Sequence, residues 1–257
     1  MFDKTGRYEF MAEPFHCDFS KRLFMGHLGN HLLNAADFHA DHRGFGMTQL
    51  NPEHKTWVLS RLAIEMETMP AEYAKFSVET WIEGVMKYFT NRNFRIADAA
   101  DDSKTYGYGR SIWALIDTDT RQPQNILEVN GGEIAKYINA DKECPIDGLS
   151  RVKMGSGARL AATIDTHYSD VDVNGHINSV KYIEHVLDLF GTDWYSGHRI
   201  RRFDIAYVAE SHYGDKLNFY MEEADEGCFC VRITKKTPAD DGETEVCRSK
   251  VTFVKKQ

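Results

Sequence analysis

Apolar positions along this chain switch between two periods. In residues 26–40, GHLGNHLLNAADFHA, Leu28, Leu32, Ala35, Ala36 and His39 recur at helical spacing and predict a helix. Runs rich in Val, Ile, Phe, Tyr and Trp follow at Trp57–Met66, Ala74–Glu83, Tyr88–Ala97 and Arg110–Asp117, and these predict strands. The plan then repeats. Residues 177–190, INSVKYIEHVLDLF, set Ile177, Val180, Ile183, Val186, Leu187 and Phe190 on one helical stripe. Arg201–Ala209, Lys216–Glu222, Cys228–Lys235 and Glu245–Val254 again read as strands. Gly26-His27-Leu28 precedes Trp57 by nearly the interval between Gly175-His176-Ile177 and Ile205, which suggests an internal duplication. A helix followed by at least four strands, twice over, predicts an α+β architecture of antiparallel sheets, each carrying one helix. Pro145, Gly148, Gly155 and Gly157 mark a linker. The expected organisation is a domain over 1–145, a linker over about 146–157, and a second domain over 158–257.

Composition narrows the class. With 257 residues, 42% hydrophobic and 27% charged, the chain is ordinary globular material and not a disordered one. No apolar run exceeds five residues (Ile112–Ile116 is one), far short of the ~20 residues a membrane-spanning helix needs. MFDKTGRYEF has no apolar core of the kind a secretory leader carries. The expected location is therefore the cytoplasm, with no membrane partner. A net charge of −8 is a poor match to nucleic acid, which demands clustered Lys and Arg. Five cysteines, an odd count without a C-x-x-C pair, predict free thiols rather than a disulfide framework or a zinc site. His27, His31, His39 and His42 crowd one helix, and Asp37 or Asp41 could join His27 and His31 at a metal. HExxH is absent, and the expectation is no metal. The G-x-S-x-G elbow of serine α/β-hydrolases is absent as well.

The most informative segment is DVDVNGHINSVKY, residues 170–182. An extended reading puts Asp170, Asp172 and Asn174 on one face and Val171 and Val173 on the other. Asn174-Gly175 signals a turn, with the helix just beyond it. His176 would then lie near a helix N-terminus, where unpaired N–H groups can stabilise an oxyanion. Asp172 and Asn174 could equally serve only as helix caps.

This segment, with the helix after it, resembles the signature of plant and bacterial acyl-acyl-carrier-protein thioesterases. The resemblance extends to Trp57-Val58-Leu59-Ser60-Arg61, Pro70, Val78-Glu79-Thr80-Trp81, Arg92-Asn93-Phe94-Arg95-Ile96, Arg110-Ser111-Ile112-Trp113 and Asp117-Thr118-Asp119-Thr120-Arg121. It implies a tandem, or double, hot-dog fold, each half a long helix wrapped by an antiparallel sheet. It also implies hydrolysis of acyl-carrier-protein thioesters to free fatty acid, without metal or other cofactor.

Carried over by position, the family's catalytic Asp, Asn and His fall on Asp172, Asn174 and His176, and its downstream carboxylate on Glu210. Plant members follow that glutamate with a cysteine. Here Ser211 stands in its place, which favours direct attack by water over a covalent acyl-enzyme. Glu210 is the first choice of general base, Asn174 of oxyanion donor, with Asp172 orienting His176 or Asn174; His176 could position water, donate to the carbonyl or itself be the base. In the first half Met25-Gly26-His27 replaces Asn174-Gly175-His176, implying one active site per chain. By resemblance the first half supplies the acyl-chain pocket, with Leu28, Leu32, Trp57, Leu59, Trp81 and Trp113 as candidate lining. Arg199, Arg201 and Arg202 form a local basic cluster suited to docking the acidic carrier protein. A homodimer is left open, because a tandem repeat already mimics the hot-dog pair. Competing readings are an acyl-CoA thioesterase, a hot-dog dehydratase and a non-catalytic acyl-binding lipid sensor.

Overall fold

The chain's strands and helices fall where periodicity is strong. A computed structural model describes residues 3–237 and 242–256. It divides into two units, Met1–Gly148 and Leu149–Gln257.

The first unit contains β1 (Thr5–Met11), α1 (Met25–Asp41), the short α2 (Met47–Leu50), β2 (Lys55–Met66), β3 (Lys75–Val85), β4 (Phe89–Asp98) and β5 (Thr105–Asp117). Its strands run in the order β1-β3-β4-β5-β2, and each neighbouring pair is antiparallel. Helix α1 buries Leu28, Leu32, Ala35, Ala36 and His39, the stripe that its spacing predicts. It lies on the sheet face that carries Tyr8, Phe10 and Phe76: His31 meets Phe10 with ring centroids 4.5 Å apart, and Phe38 meets Tyr8 at 5.6 Å. Full burial of a leucine such as Leu28 or Leu32 contributes about 1.5–3 kcal/mol.

The second unit contains β6 (Arg159–Asp165), α3 (Ser179–Leu187), α4 (Thr192–Gly197), β7 (His198–Tyr207), β8 (Lys216–Asp225), β9 (Cys228–Lys236) and β10 (Thr244–Lys255). The order is β7-β10-β9-β8-β6, again antiparallel throughout. Helix α3 buries Val180, Tyr182, Ile183, Val186 and Leu187. Asn178 caps it, its side chain accepting the Val180 N–H at 2.9 Å. Phe190, expected on the helical stripe, lies past the helix end. It joins Phe229 and Phe253, at 4.9 and 4.8 Å between ring centroids, in an aromatic cluster that also holds Trp194. Each unit is thus a helix on an antiparallel sheet, the hot-dog arrangement.

Among the strands, β1 and β6 are the two that periodicity does not reveal. Both lie at the end of their strand order, and both are partly exposed along their length. An edge strand with one row of unpaired backbone groups carries polar residues and loses the alternating signal.

Strand alternation also sorts the candidate pocket residues. Trp57, Leu59 and Trp113 share the helix-facing side with Leu115, since Trp57 pairs Leu115 and Leu59 pairs Trp113. Leu28 and Leu32 are buried on α1, which packs on β1 and β3. Trp81 does not belong to this set. It is out of phase with Val78 and Thr80 on β3, and its indole N–H donates to the Lys142 carbonyl at 3.0 Å, with the Lys142 ammonium 4.8 Å from its ring. The reason is the period of two: Trp81 sits on the opposite face, under residues 142–146. There the Arg110 guanidinium also donates to the Cys144 and Ile146 carbonyls.

Candidate active site

Residues 171–177 form a tight loop instead of the extended segment that the alternation suggested. Tyr168–Asp170 is a 3-10 turn, and Val171 bridges Ile177 in an antiparallel pair. The Asp172 N–H donates to the His176 carbonyl at 2.8 Å, and the Gly175 N–H to the Asp172 carbonyl at 3.0 Å. Gly175 has φ +80°, a conformation that side chains with a Cβ resist. The Asp172 carboxylate accepts the N–H groups of Asn174 at 2.8 Å and His176 at 3.2 Å. It is therefore a loop organiser acting on backbone, as short acidic side chains do in Asx turns. Helix α3 begins only at Ser179, so His176 precedes the Asn178 cap and stands outside the helix N-terminus. The N–H groups expected there belong to this loop.

A second loop, after β7, is fastened to the first. The Ile177 N–H donates to the Ser211 carbonyl at 2.8 Å. Lys235, on β9, donates to the Glu210 carbonyl at 2.7 Å and faces Asp215 at 3.7 Å. Asp215, buried, accepts the His212 N–H at 2.9 Å. Thr166 donates to the His212 carbonyl at 3.0 Å. The two loops together bring His176 Nε2 to 3.4 Å from Glu210 Oε2, with the two side chains 25% and 34% exposed. The pair is accessible to water and close enough to exchange a proton after a small inward movement.

Of the expected site residues, His176 and Glu210 are brought together. Asp172 is joined to His176 through backbone alone. Asn174 is exposed, and among the described residues its side chain makes no hydrogen bond. Ser211 is fully buried, and its Oγ has no hydrogen-bond partner among the described residues. It lies against Tyr182, whose phenol burial pushes well up. A buried hydroxyl with no base beside it fits the reading against a serine nucleophile.

Two neighbours of the His176–Glu210 pair escaped the sequence reading. His212 meets the His176 ring edge-on, with centroids 5.0 Å apart and planes at 79°. Its closeness to Glu210 in sequence was the available signal. Lys235 carried none, being one basic residue in a strand. On the outer side of the 171–177 loop, Tyr168, Ser169, Val171, Asp172, Val173 and Tyr213 line an open concavity, with Tyr168, Val173 and Tyr213 largely exposed.

Within the basic cluster, Arg202 is not available for docking. Arg202 is committed to Asp204 through two hydrogen bonds of 2.7 and 2.9 Å, and its side chain is 12% exposed. It is thus withdrawn from the docking set, because an ion pair that satisfies a buried carboxylate cannot also face a partner. Among the described residues, no helix is long and apolar enough to cross a membrane.

Residues 4–131 match the acyl-ACP thioesterase N-terminal domain, and residues 156–255 match the acyl-ACP thioesterase C-terminal domain. A crystal structure of an acyl-ACP thioesterase from Bacteroides thetaiotaomicron is 52% identical, covers 98% of each chain and superposes with a TM-score of 0.89. The 12:0-ACP thioesterase of Umbellularia californica, 22% identical over 100% of this chain and 99% of that one, has the same fold with a TM-score of 0.82. Among curated relatives, a chloroplastic palmitoyl-acyl carrier protein thioesterase of Arabidopsis thaliana is 28% identical over 56% of this chain and 36% of its own length. A chloroplastic dodecanoyl-[acyl-carrier-protein] hydrolase of Cinnamomum camphora is 24% identical over 87% of this chain and 61% of its own length. The chain thus spans between about a third and two thirds of the curated relatives' lengths. The two helix-on-sheet units define a protein of the hot-dog class. The chain belongs to the acyl-ACP thioesterase family.

Proposed function

We propose that this protein hydrolyses acyl-acyl-carrier-protein thioesters to free fatty acid and carrier thiol, ending fatty acid synthesis. The observation that carries the reading is the His176–Glu210 pair, 3.4 Å apart on two mutually fastened loops, in a chain of this family. Glu210 takes the proton of a water molecule that attacks the thioester carbonyl. His176 holds the water against Glu210, takes the proton over from the Glu210 carboxyl and gives it to the departing thiolate. Asn174, with its amide unengaged on the same loop, donates to the oxyanion of the tetrahedral intermediate. Asp172 keeps the loop in register.

The acyl chain lies in the first unit, between Leu28 and Leu32 of α1 and Trp57, Leu59 and Trp113 of the sheet. Arg199 and Arg201 form the basic rim that meets the acidic carrier protein. Five free cysteines fit work in a reducing compartment, the cytoplasm. Two chains can pair without changing this chemistry. The direct test is thiol release from acyl-carrier-protein thioesters by purified protein, and its loss in Glu210→Gln. Release that survives in Glu210→Gln contradicts the assignment of the base.

A further inference from the structure

Away from the active site, the segment that leads into α1 carries a second cluster of polar side chains. Glu13 precedes the 3-10 turn Pro14–His16, and His31 sits on α1. One ligand atom from each of Glu13, His16 and His31 lies within 4.8 Å of the other two. Glu13 Oε2 and His16 Nδ1 are already 3.1 Å apart. Donors held at about 2.0–2.2 Å from a tetrahedral ion stand roughly 3.4 Å from each other, so this edge of the tetrahedron exists and only His31 has to close. Glu13 and His16 are 47% and 41% exposed, which leaves them room to turn.

His31 supplies an independent observation. Both of its ring nitrogens are buried, and neither has a hydrogen-bond partner among the described residues. Its ring is wedged between Phe10 and Phe76, at 4.5 and 5.4 Å. Burying a polar nitrogen without a partner is costly, and native structures rarely leave both nitrogens of one imidazole so. The His16 ring stacks on His27, with centroids 4.0 Å apart.

We propose that Glu13, His16 and His31 bind one divalent transition-metal ion of the zinc class. Two imidazoles and a carboxylate are an N and O donor set suited to zinc and its neighbours, whereas calcium and magnesium favour oxygen alone. Three protein donors leave one position for water. The ion clips the segment before α1 onto the helix that carries Leu28 and Leu32. It is remote in sequence from His176 and Glu210 and takes no part in hydrolysis. The proposal stands whether or not the protein proves to be a thioesterase.

The test uses the full chain freed of metal by a chelator. Zinc is titrated against a chromophoric competitor, and cobalt(II) is added separately to read the visible absorption of a tetrahedral or five-coordinate site. The expected result is one tightly held equivalent, a cobalt band and a rise in Tm with zinc. Glu13→Gln and His16→Gln, both half-exposed and expected to fold, should each weaken zinc binding at least tenfold, as should His31→Asn. His176→Gln should leave it unchanged, which separates this site from the His176–Glu210 pair. Absence of a tight equivalent, unchanged affinity in Glu13→Gln and His16→Gln, or loss in His176→Gln instead, would overturn the proposal.

Discussion

Glu210 and His176 face each other at 3.4 Å, so removing one charge should silence the pair without emptying the substrate site. Glu210→Gln is expected to lower kcat by about 10²- to 10⁴-fold while acyl-carrier-protein binding changes little. Equal loss of binding in a titration would make Glu210 a structural residue. Asp172 invites a finer experiment, because its carboxylate accepts two backbone N–H groups and touches no reacting atom. Asp172→Asn keeps an acceptor oxygen and should keep most of the activity; Asp172→Ala should lose about tenfold or more as the loop loosens and His176 shifts. Equal rates for the two variants would refute the loop-organising role. Ser211→Ala should retain most of the activity and alter stability by no more than about 1 kcal/mol, since its buried hydroxyl makes no hydrogen bond. The residue types of this site were legible in the sequence. Their contacts were not: Asp172 could be read as a partner of the His176 ring because spacing carries no information on whether a carboxylate meets a side chain or a backbone.

At the scale of elements, the strongly periodic helices and central strands could be read directly, while the edge strands β1 and β6 and the end of α3 could not. Phe190 continues the helical spacing, yet the chain leaves the helix at Leu187 and delivers the ring to Phe229 and Phe253. Tertiary packing of an aromatic side chain overrides a weak local period. The placement of Trp81 opposite α1 has a measurable consequence. Trp113→Ala should alter chain-length preference in a substrate panel. Trp81→Ala should leave that preference intact and cost about 3–5 kcal/mol in denaturant unfolding, as loss of a buried ring does. A changed preference in Trp81→Ala would return it to the pocket. Helix α1 also carries a pH dependence. Burial, then Arg92 and Arg43, push the His39 imidazole down from 6.5 to about 2. Between those values the unfolded chain holds a proton that the native state does not, so stability rises with pH across that window and levels off above 6.5. Lowering pH below that point should cost up to ~1.4 kcal/mol per unit from this residue, and His39→Gln should show a shallower loss of Tm. An unchanged slope would contradict it.

For the whole molecule, the repeated helix-then-strands plan announced two similar halves, and the structure shows a helix on an antiparallel sheet in each unit. What the repeat could not reveal is how residues 142–146 cover the outer face of the first sheet, because those contacts run from Trp81 and Arg110 to backbone carbonyls rather than to an apolar stripe. The proposed chemistry belongs to one half only, where Asn174-Gly175-His176 stands in place of Met25-Gly26-His27. The most direct measurement is thiol release by the purified protein on medium- to long-chain acyl-carrier-protein thioesters, with the matching acyl-CoAs alongside and Glu210→Gln as control. The account predicts rapid release from carrier-protein thioesters, slower release from the CoA series, and collapse of both in the variant. No release from either series, or equal rates for parent and variant, would contradict a thioesterase built on His176 and Glu210.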